Sequence, residues 1–234
     1  MRALAISHQT DAGPGVFADE MRERGVELDE WLLSERGTGP PREIADYQAV
    51  LTFGGAMHAD QEDRHPWLRF EKDFLAAMLD DGMPVLAVCL GSQLLAEAAG
   101  GTVRRASEPE IGWKQVEITE QGSSDPVVGP LAPAFTAFQW HSYEALPPEG
   151  AVILASSPVC AQAYRLGETA WGIQFHAEVS AVDVEKWIDD YRSDEDAVRI
   201  GIDPDALRAE TRGKIAEWNE LGRKLCGRFL DTIG

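Results

Sequence analysis

PVLAVCLGSQLLAEAAGG, residues 84–101, passes from strand letters to helix letters across a single cysteine. Val85 to Val88 is a short apolar run, of the length and β-branched content of a buried parallel strand. Gln93 to Ala99 is rich in Leu and Ala, which favour helix, and Gly100 with Gly101 gives it a stop. Cys89 therefore falls at a strand-to-helix turn. There the thiol stands at the carboxyl end of a strand, beside the first free N–H groups of a helix, where a thiolate is favoured and an oxyanion can be received. A cysteine in this place reads either as a nucleophile on a sharp elbow or as an inert, buried packing residue. Its partners must separate the two readings.

A second stretch supplies candidates. In TAWGIQFHAEVS, residues 169–180, alternation from Ala170 to Phe175 reads as a strand, with His176 and Glu178 at its end. If the extended backbone persists through Ala177, both side chains point to one side of the sheet. The imidazole can then take the thiol proton while the carboxylate fixes its tautomer and stabilises the imidazolium. His141 also ends a strand, FTAFQWHSY (135–143), but Glu144 three residues on faces away, so His176 is the preferred base.

Outward from these stretches, strands alternate with helices. Arg2 to Ser7, Val26 to Leu33 and Ala49 to Phe53 read as strands, and Pro14 to Arg24 reads as a helix closed by Gly25. Pro66 opens a helix through Leu79, with Trp67, Phe70, Phe74 and Met78 expected on its inner face. This spacing predicts an α/β fold: a mainly parallel sheet with helices on both faces, and a ligand crevice at the carboxyl ends of the strands. Cys89 and Gly54-Gly55 both fall at such ends. Thr102 to Arg105 and Trp113 to Ile118 read as two strands, and Ala151 to Ser156, Cys160 to Leu166 and Thr169 to Phe175 as short strands forming a small antiparallel patch. From Ala181 the chain reads as helical to its end, where Leu207, Ile215, Trp218, Leu221, Leu225 and Phe229 make an apolar stripe suited to packing on the domain.

Composition narrows the function. Forty acidic against twenty-one basic residues, a formal charge of -19, repel nucleic acid and anionic membrane surfaces, so neither is an expected partner. The apolar start MRALAIS is too short for a signal peptide and no run approaches the length of a membrane span, which makes the cytoplasm the expected compartment. Three cysteines without paired spacing argue against a disulfide framework, and Cys160 and Cys226 read as packing residues. HADQEDRH (58–65) holds His and carboxylates in no known zinc or calcium spacing, so no metal or other cofactor is expected.

With these residues in view, the chain resembles the class I, triad-type glutamine amidotransferases, most closely the glutaminase half of GMP synthase and stand-alone proteins like it. The family's Cys-x-Gly-x-Gln stands as Cys89-Leu90-Gly91-Ser92-Gln93, its His-x-Glu as His176-Ala177-Glu178 after Gln174-Phe175, and its Gly-Gly loop as Gly54-Gly55. The likeness runs from about residue 1 to residue 190, so it implies a glutaminase domain over 1–190 of flavodoxin-like type, with 191–234 as a helical extension packed on it. It further implies that Cys89 attacks the side-chain amide of glutamine, giving a γ-glutamyl thioester and ammonia. The backbone N–H groups of Gly55 and Leu90 would form the oxyanion hole, with Gln93, His141, Ser142 and Tyr143 near the bound glutamyl group. Three positions depart from the pattern: Ala177 and Ala56 stand where proline is usual, and Ser92 where many members have His. No Ser-Gly-Gly-x-Asp-Ser, Gly-x4-Gly-Lys-Ser/Thr or Rossmann glycine pattern occurs, so the sequence offers no means of activating an acceptor with ATP. Three readings stand: an ammonia-producing chain serving a separate synthase chain, a self-sufficient hydrolase of another γ-glutamyl amide or peptide, and a non-catalytic relative, which an intact triad disfavours.

Overall fold

The computed structural model describes residues 1–36 and 39–233. The chain runs β1 (Arg2–Ser7), α1 (Gly15–Glu23), β2 (Glu27–Leu32), α2 (Leu33–Arg36), β3 (Ala49–Thr52), α3 (Trp67–Asp80), β4 (Val85–Val88), α4 (Leu90–Ala98), β5 (Thr102–Ile118) and α5 (Glu120–Ser123). It continues with β6 (Ala134–Leu146), β7 (Val152–Ser156), β8 (Ala161–Leu166), β9 (Ala170–Ile173), α6 (Ala181–Asp189), α7 (Glu195–Ile200) and α8 (Pro204–Asp231). Among the described residues the nine strands share one sheet in the order β2-β1-β3-β4-β9-β8-β7-β5-β6. Pairing is parallel from β2 through β9 and antiparallel from β9 through β6.

The period of two along β1 shows why helices cover both faces. Ala3 and Ala5 belong to a cluster with Phe17 and Met21 of α1, Val184 and Ile188 of α6, and Trp218 and Phe229 of α8. Leu4 and Ile6 belong to the opposite cluster, with Leu75 and Met78 of α3 and Leu94 and Leu95 of α4. Strands buried on both sides read as near-continuous apolar runs, as β4 does throughout and β3 does up to Thr52.

Two expectations are corrected. The inner face of α3 is Leu68, Glu71, Leu75 and Met78, whereas Phe70 is 42% exposed. Phe70 and Phe74 instead pack edge-on against Trp31, each at 5.9 Å, and this rotation of the helix turns Glu71 inward. The two strands read from Thr102 to Ile118 are one, β5, with its pairing to β6 shifted between Arg105 and Glu110. Pro109 lies in that irregularity, where a residue without an N–H costs no ladder bond.

The stripe on α8 faces the sheet. Leu207, Trp218, Leu225 and Phe229 are buried, with Ile215 and Leu221 packed against the same cluster. The helix also touches the backbone that follows β9: Trp218 Nε1 donates to the His176 carbonyl at 2.8 Å, and Asn219 Nδ2 to the Val179 carbonyl at 2.7 Å. A Cβ placed on Gly222 would stand 2.0 Å from the Ala177 carbonyl oxygen, so only glycine allows this approach. Gly213, on the same helix, has open space around its Cβ position. Gly222→Ala should therefore lower the unfolding free energy by about 1–3 kcal/mol, the usual cost of overpacking. Gly213→Ala should raise it by about 0.5–1 kcal/mol through helix propensity. Urea midpoints of the two variants, measured side by side, check both signs.

Candidate active site

The carboxyl ends of β3, β4 and β9 meet around Cys89. Its backbone stands at φ 52°, ψ -111°, and among the described residues it is the one non-glycine residue with positive φ. The turn is tight because β4 must pass directly into α4. A Cβ on Gly91 would lie 2.6 Å from the Thr52 carbonyl oxygen, so α4 starts against the end of β3. The Cys89 N–H is tied to the Ile173 carbonyl at 2.8 Å and the Gly91 N–H to the Phe53 carbonyl at 3.0 Å. Between them stands Leu90, the first helical residue, whose N–H has no acceptor within its helix.

His176 and Glu178 follow β9. The His176 Nδ1 lies 2.8 Å from Glu178 Oε1, so this nitrogen donates to the carboxylate and Nε2 is left for another partner. Both side chains are buried, 3% and 2% exposed. Gly54 reports how near the thiol comes: a Cβ there would meet His176 Cε1 at 3.0 Å and Cys89 Cβ at 3.6 Å. Burial alone would lower the affinity of the imidazole for its proton. The charges of Glu178 and Cys89 outweigh burial and push the His176 pKa up to about 10. Ala177 does not leave the segment loose. The Val16 N–H donates to the Glu178 carbonyl at 2.8 Å, and Gly15, at φ 45°, lets α1 begin against that carbonyl. Trp187 closes one side, its ring edge-on to His176 at 4.8 Å.

A cavity of about 700 Å³ opens above the cysteine, and Gly55, Cys89, Leu90, Gln93, His141, Ser142, Tyr143 and His176 all line it. Gln93 donates from its amide nitrogen to the Tyr143 carbonyl at 3.1 Å and to Gln174 Oε1 at 3.2 Å, leaving its own oxygen for a ligand. His58, from HADQEDRH, stacks on Tyr143 at 4.2 Å and lines the same cavity. The mouth is completed by residues that no local pattern singles out. Trp187 and Asp190 come from the end of α6, and Asp194 and Asp196 from the start of α7, where Asp194 accepts from Trp140 Nε1 at 2.9 Å. Beneath the Gly-Gly loop, His8 Nδ1 lies 2.9 Å from the Gly54 carbonyl oxygen and Nε2 lies 2.7 Å from Glu71 Oε2. Only the inward turn of α3, hidden from a reading of its aromatic residues, could have revealed this pair.

His141 has an acid after all, but from the neighbouring strand. Its Nε2 is 3.3 Å from Glu110 Oε2 on β5, while Glu144 is paired with Arg104. Among the described residues, Glu110, His141 and Cys160 are the group close enough to share a metal ion, with ligand atoms within 4.8 Å of one another. That carboxylate oxygen already receives Gln162 Nε2 at 2.7 Å and Ser157 Oγ at 3.0 Å. Burial first, and then the charge of Glu110, push the Cys160 thiol far up. Cys226 is buried with its sulfur 3.8 Å from the Phe17 carbonyl, and burial raises its thiol as well.

A family model described as glutamine amidotransferase class-I matches residues 16–187. A glutamine amidotransferase-like protein of Salmonella typhimurium is 26% identical over 240 residues, covering 100% of this chain and 97% of its own. A glutamine-hydrolyzing GMP synthase subunit of Methanoculleus marisnigri is 31% identical, covering 67% of this chain and 79% of its own. Among solved structures, a glutamine amidotransferase from Thermotoga maritima superposes with a TM-score of 0.88 at 30% identity, over 99% of this chain and 98% of that one. With a strand-turn-helix cysteine set against a His-Glu pair, and a family match that takes in both of the strands carrying them, the chain belongs to the class-I glutamine amidotransferases.

Proposed function

We propose that the chain hydrolyses the side-chain amide of glutamine through a cysteinyl thioester and supplies the ammonia to a separate synthase chain. The observation that carries this reading is Cys89 at φ 52° on its strand-to-helix turn, packed against the His176–Glu178 pair. Backbone strain of this kind persists where the surrounding structure enforces it, and it aims the sulfur away from the sheet into the cavity. The Cys89 sulfur attacks the amide carbon, and the oxyanion that forms is received by the N–H groups of Gly55 and Leu90. His176, protonated and held by Glu178, gives its Nε2 proton to the departing ammonia. Water then attacks the thioester, His176 takes its proton, and glutamate leaves with Cys89 restored. Gln93, His141, Ser142 and Tyr143 edge the part of the cavity where the glutamyl group would lie.

The synthase partner rests on the relatives described as subunits of a glutamine-hydrolyzing GMP synthase. The three free thiols, all buried, suit a reducing compartment and so the cytoplasm. Residues 1–190 and 191–234 act as one unit in this reading, because α8 holds the backbone of His176 and Val179. A second reading, a stand-alone hydrolase of γ-glutamyl amides, has its own support in the cavity. About 700 Å³ is more room than one amino acid fills, within the range of roughly 300–1,000 Å³ that houses drug-sized ligands.

Cys89→Ala should lower kcat by about 10⁴-fold or more, the scale of losing a nucleophile, and leave the thermal unfolding midpoint unchanged. A glutamine-like diazoketone should label Cys89 in the native protein; mass-spectrometric labelling mainly at Cys160 or Cys226 would move the nucleophile there. Glu178→Gln tests the base through pH. The Glu178 charge is the first of the causes that raise the imidazole, so its removal lets His176 lose its proton at lower pH. The alkaline limb of kcat/KM should shift down by about 1–3 pH units, the usual effect of a neighbouring opposite charge. An unmoved limb would mean that another group sets it. Purified protein assayed on glutamine and on a panel of γ-glutamyl amines and peptides separates the two readings. Glutamine as the best substrate, with turnover stimulated by a synthase, is the expected result. Efficient cleavage of one γ-glutamyl conjugate, far above glutamine and with no partner present, would favour the stand-alone hydrolase.

A further inference from the structure

His8 and Glu71 take no part in the chemistry proposed above, yet they form a buried pair directly under the Gly54–Gly55 loop. The His8 side chain is 0% exposed and that of Glu71 1%. Both ring nitrogens of His8 face acceptors, the Gly54 carbonyl at 2.9 Å and Glu71 Oε2 at 2.7 Å, so the geometry calls for a proton on each. Glu71 is itself fixed, accepting from Thr52 Oγ1 at 2.6 Å, and the ring of His8 stacks on Trp67 at 5.3 Å. An imidazolium–carboxylate pair is costly to bury and stabilises little compared with apolar residues of the same volume. Its placement therefore asks for a use.

The peptide between Gly54 and Gly55 supplies one. It is trans, so its C=O and its N–H point in opposite directions. Gly55 lines the cavity beside Cys89 and Leu90, whereas His8 does not. A Gly54 carbonyl drawn to His8 is thus drawn away from the cavity, and the Gly55 N–H is turned towards it. Two adjacent glycines have no Cβ to bias this peptide, so its orientation must be set from outside. On the far side of Gly55, the Ala56 N–H is held by Gln9 Oε1 at 2.7 Å. Residues 8 and 9, at the end of β1, clamp the loop at two successive peptides.

We propose that His8, braced by Glu71, is a positioning residue that holds the Gly54 carbonyl and so presents the Gly55 N–H to the oxyanion formed at Cys89. This rests on the thioester chemistry proposed above, while the hold on the peptide itself does not. His8→Gln and His8→Asn divide the two contacts. Glutamine places its amide nitrogen where Nε2 stands and keeps Glu71, but gives up the donor to Gly54. Asparagine places its nitrogen where Nδ1 stands and keeps the Gly54 contact, but gives up Glu71.

His8→Gln should lower kcat by about 10²–10³-fold, the cost of removing one oxyanion donor, with KM little changed. His8→Asn should stay within about tenfold of wild type. Iodoacetamide should alkylate Cys89 at a similar rate in all three proteins, because the thiol and its base are untouched. A crystal structure of the His8→Gln protein should show the Gly54–Gly55 peptide turned over. If either variant fails to fold, His8→Leu/Glu71→Leu removes the buried charges together and should show the same kcat loss and the same turned peptide. An unmoved peptide in the variant that lacks the Gly54 donor would overturn the proposal, as would a kcat loss in His8→Asn at least as large as in His8→Gln. Failure of the thioester reading would look different: Cys89→Ala would keep its turnover, and the peptide in the His8→Gln crystal would still report the hold of His8.

Discussion

The strained turn at Cys89 is the constraint on which the rest of the arrangement depends. A non-glycine residue at φ 52° is held there at a cost of order 1–3 kcal/mol, and the hydrogen bonds on both sides explain how. The N–H groups of Cys89 and Gly91 are captured by carbonyls at the ends of β9 and β3, the two strands that flank β4. The turn is therefore set by the sheet. Because β3 and β9 are also the strands that carry Gly54 and His176 just beyond their ends, one parallel triplet brings three chemically distinct groups to one point.

The second requirement is that the segments beyond these strand ends stay in place, since a backbone that has left the sheet has lost its ladder. Each is held from a different direction. The loop after β3 is gripped by His8 and Gln9, which leave β1 beside it. The segment after β9 is gripped by α1 and α8 through the carbonyls of His176, Glu178 and Val179. Glycine is what permits the close approach on that side, Gly15 in one helix and Gly222 in the other. The absence of proline at Ala177 is in this way offset by contacts from elements far away in sequence.

How much of this could be read from the letters depends on the range of the interaction concerned. The alternation of strands and helices in the parallel half, the strand-to-helix turn at Cys89 and the placing of His176 and Glu178 at a strand end follow from local pattern, because periodicity and end signals are local. The face of α3 did not follow, since Trp67, Phe70 and Phe74 looked like the interior. The helix instead turns Glu71 inward to meet His8, which lies just past the end of β1. Glu110 as partner to His141 was equally hidden: the acid comes from β5, across the sheet, and no spacing along β6 encodes it. The lining of the cavity mouth by residues of α6 and α7 is long-range in the same sense.

The sheet thus holds two clusters of one cysteine, one histidine and one glutamate, and they differ in how the three groups are arranged. In Glu110, His141 and Cys160 the histidine uses Nδ1 to donate to the Tyr143 carbonyl at 3.0 Å, and its Nε2 lies 3.3 Å from Glu110 Oε2. Cys160 lies just before β8 with no helix start behind it, and its thiol is pushed up by burial and by Glu110, which stabilise the uncharged form. In Cys89, His176 and Glu178 the carboxylate lies on the far nitrogen of the imidazole, the sulfur lies near the ring, and α4 begins at the next residue. The same three residue types set a carboxylate against the histidine alone in one order, and against both the histidine and the thiol in the other. Sequence spacing alone does not distinguish these orders, but the direction in which each histidine donates its Nδ1 proton does.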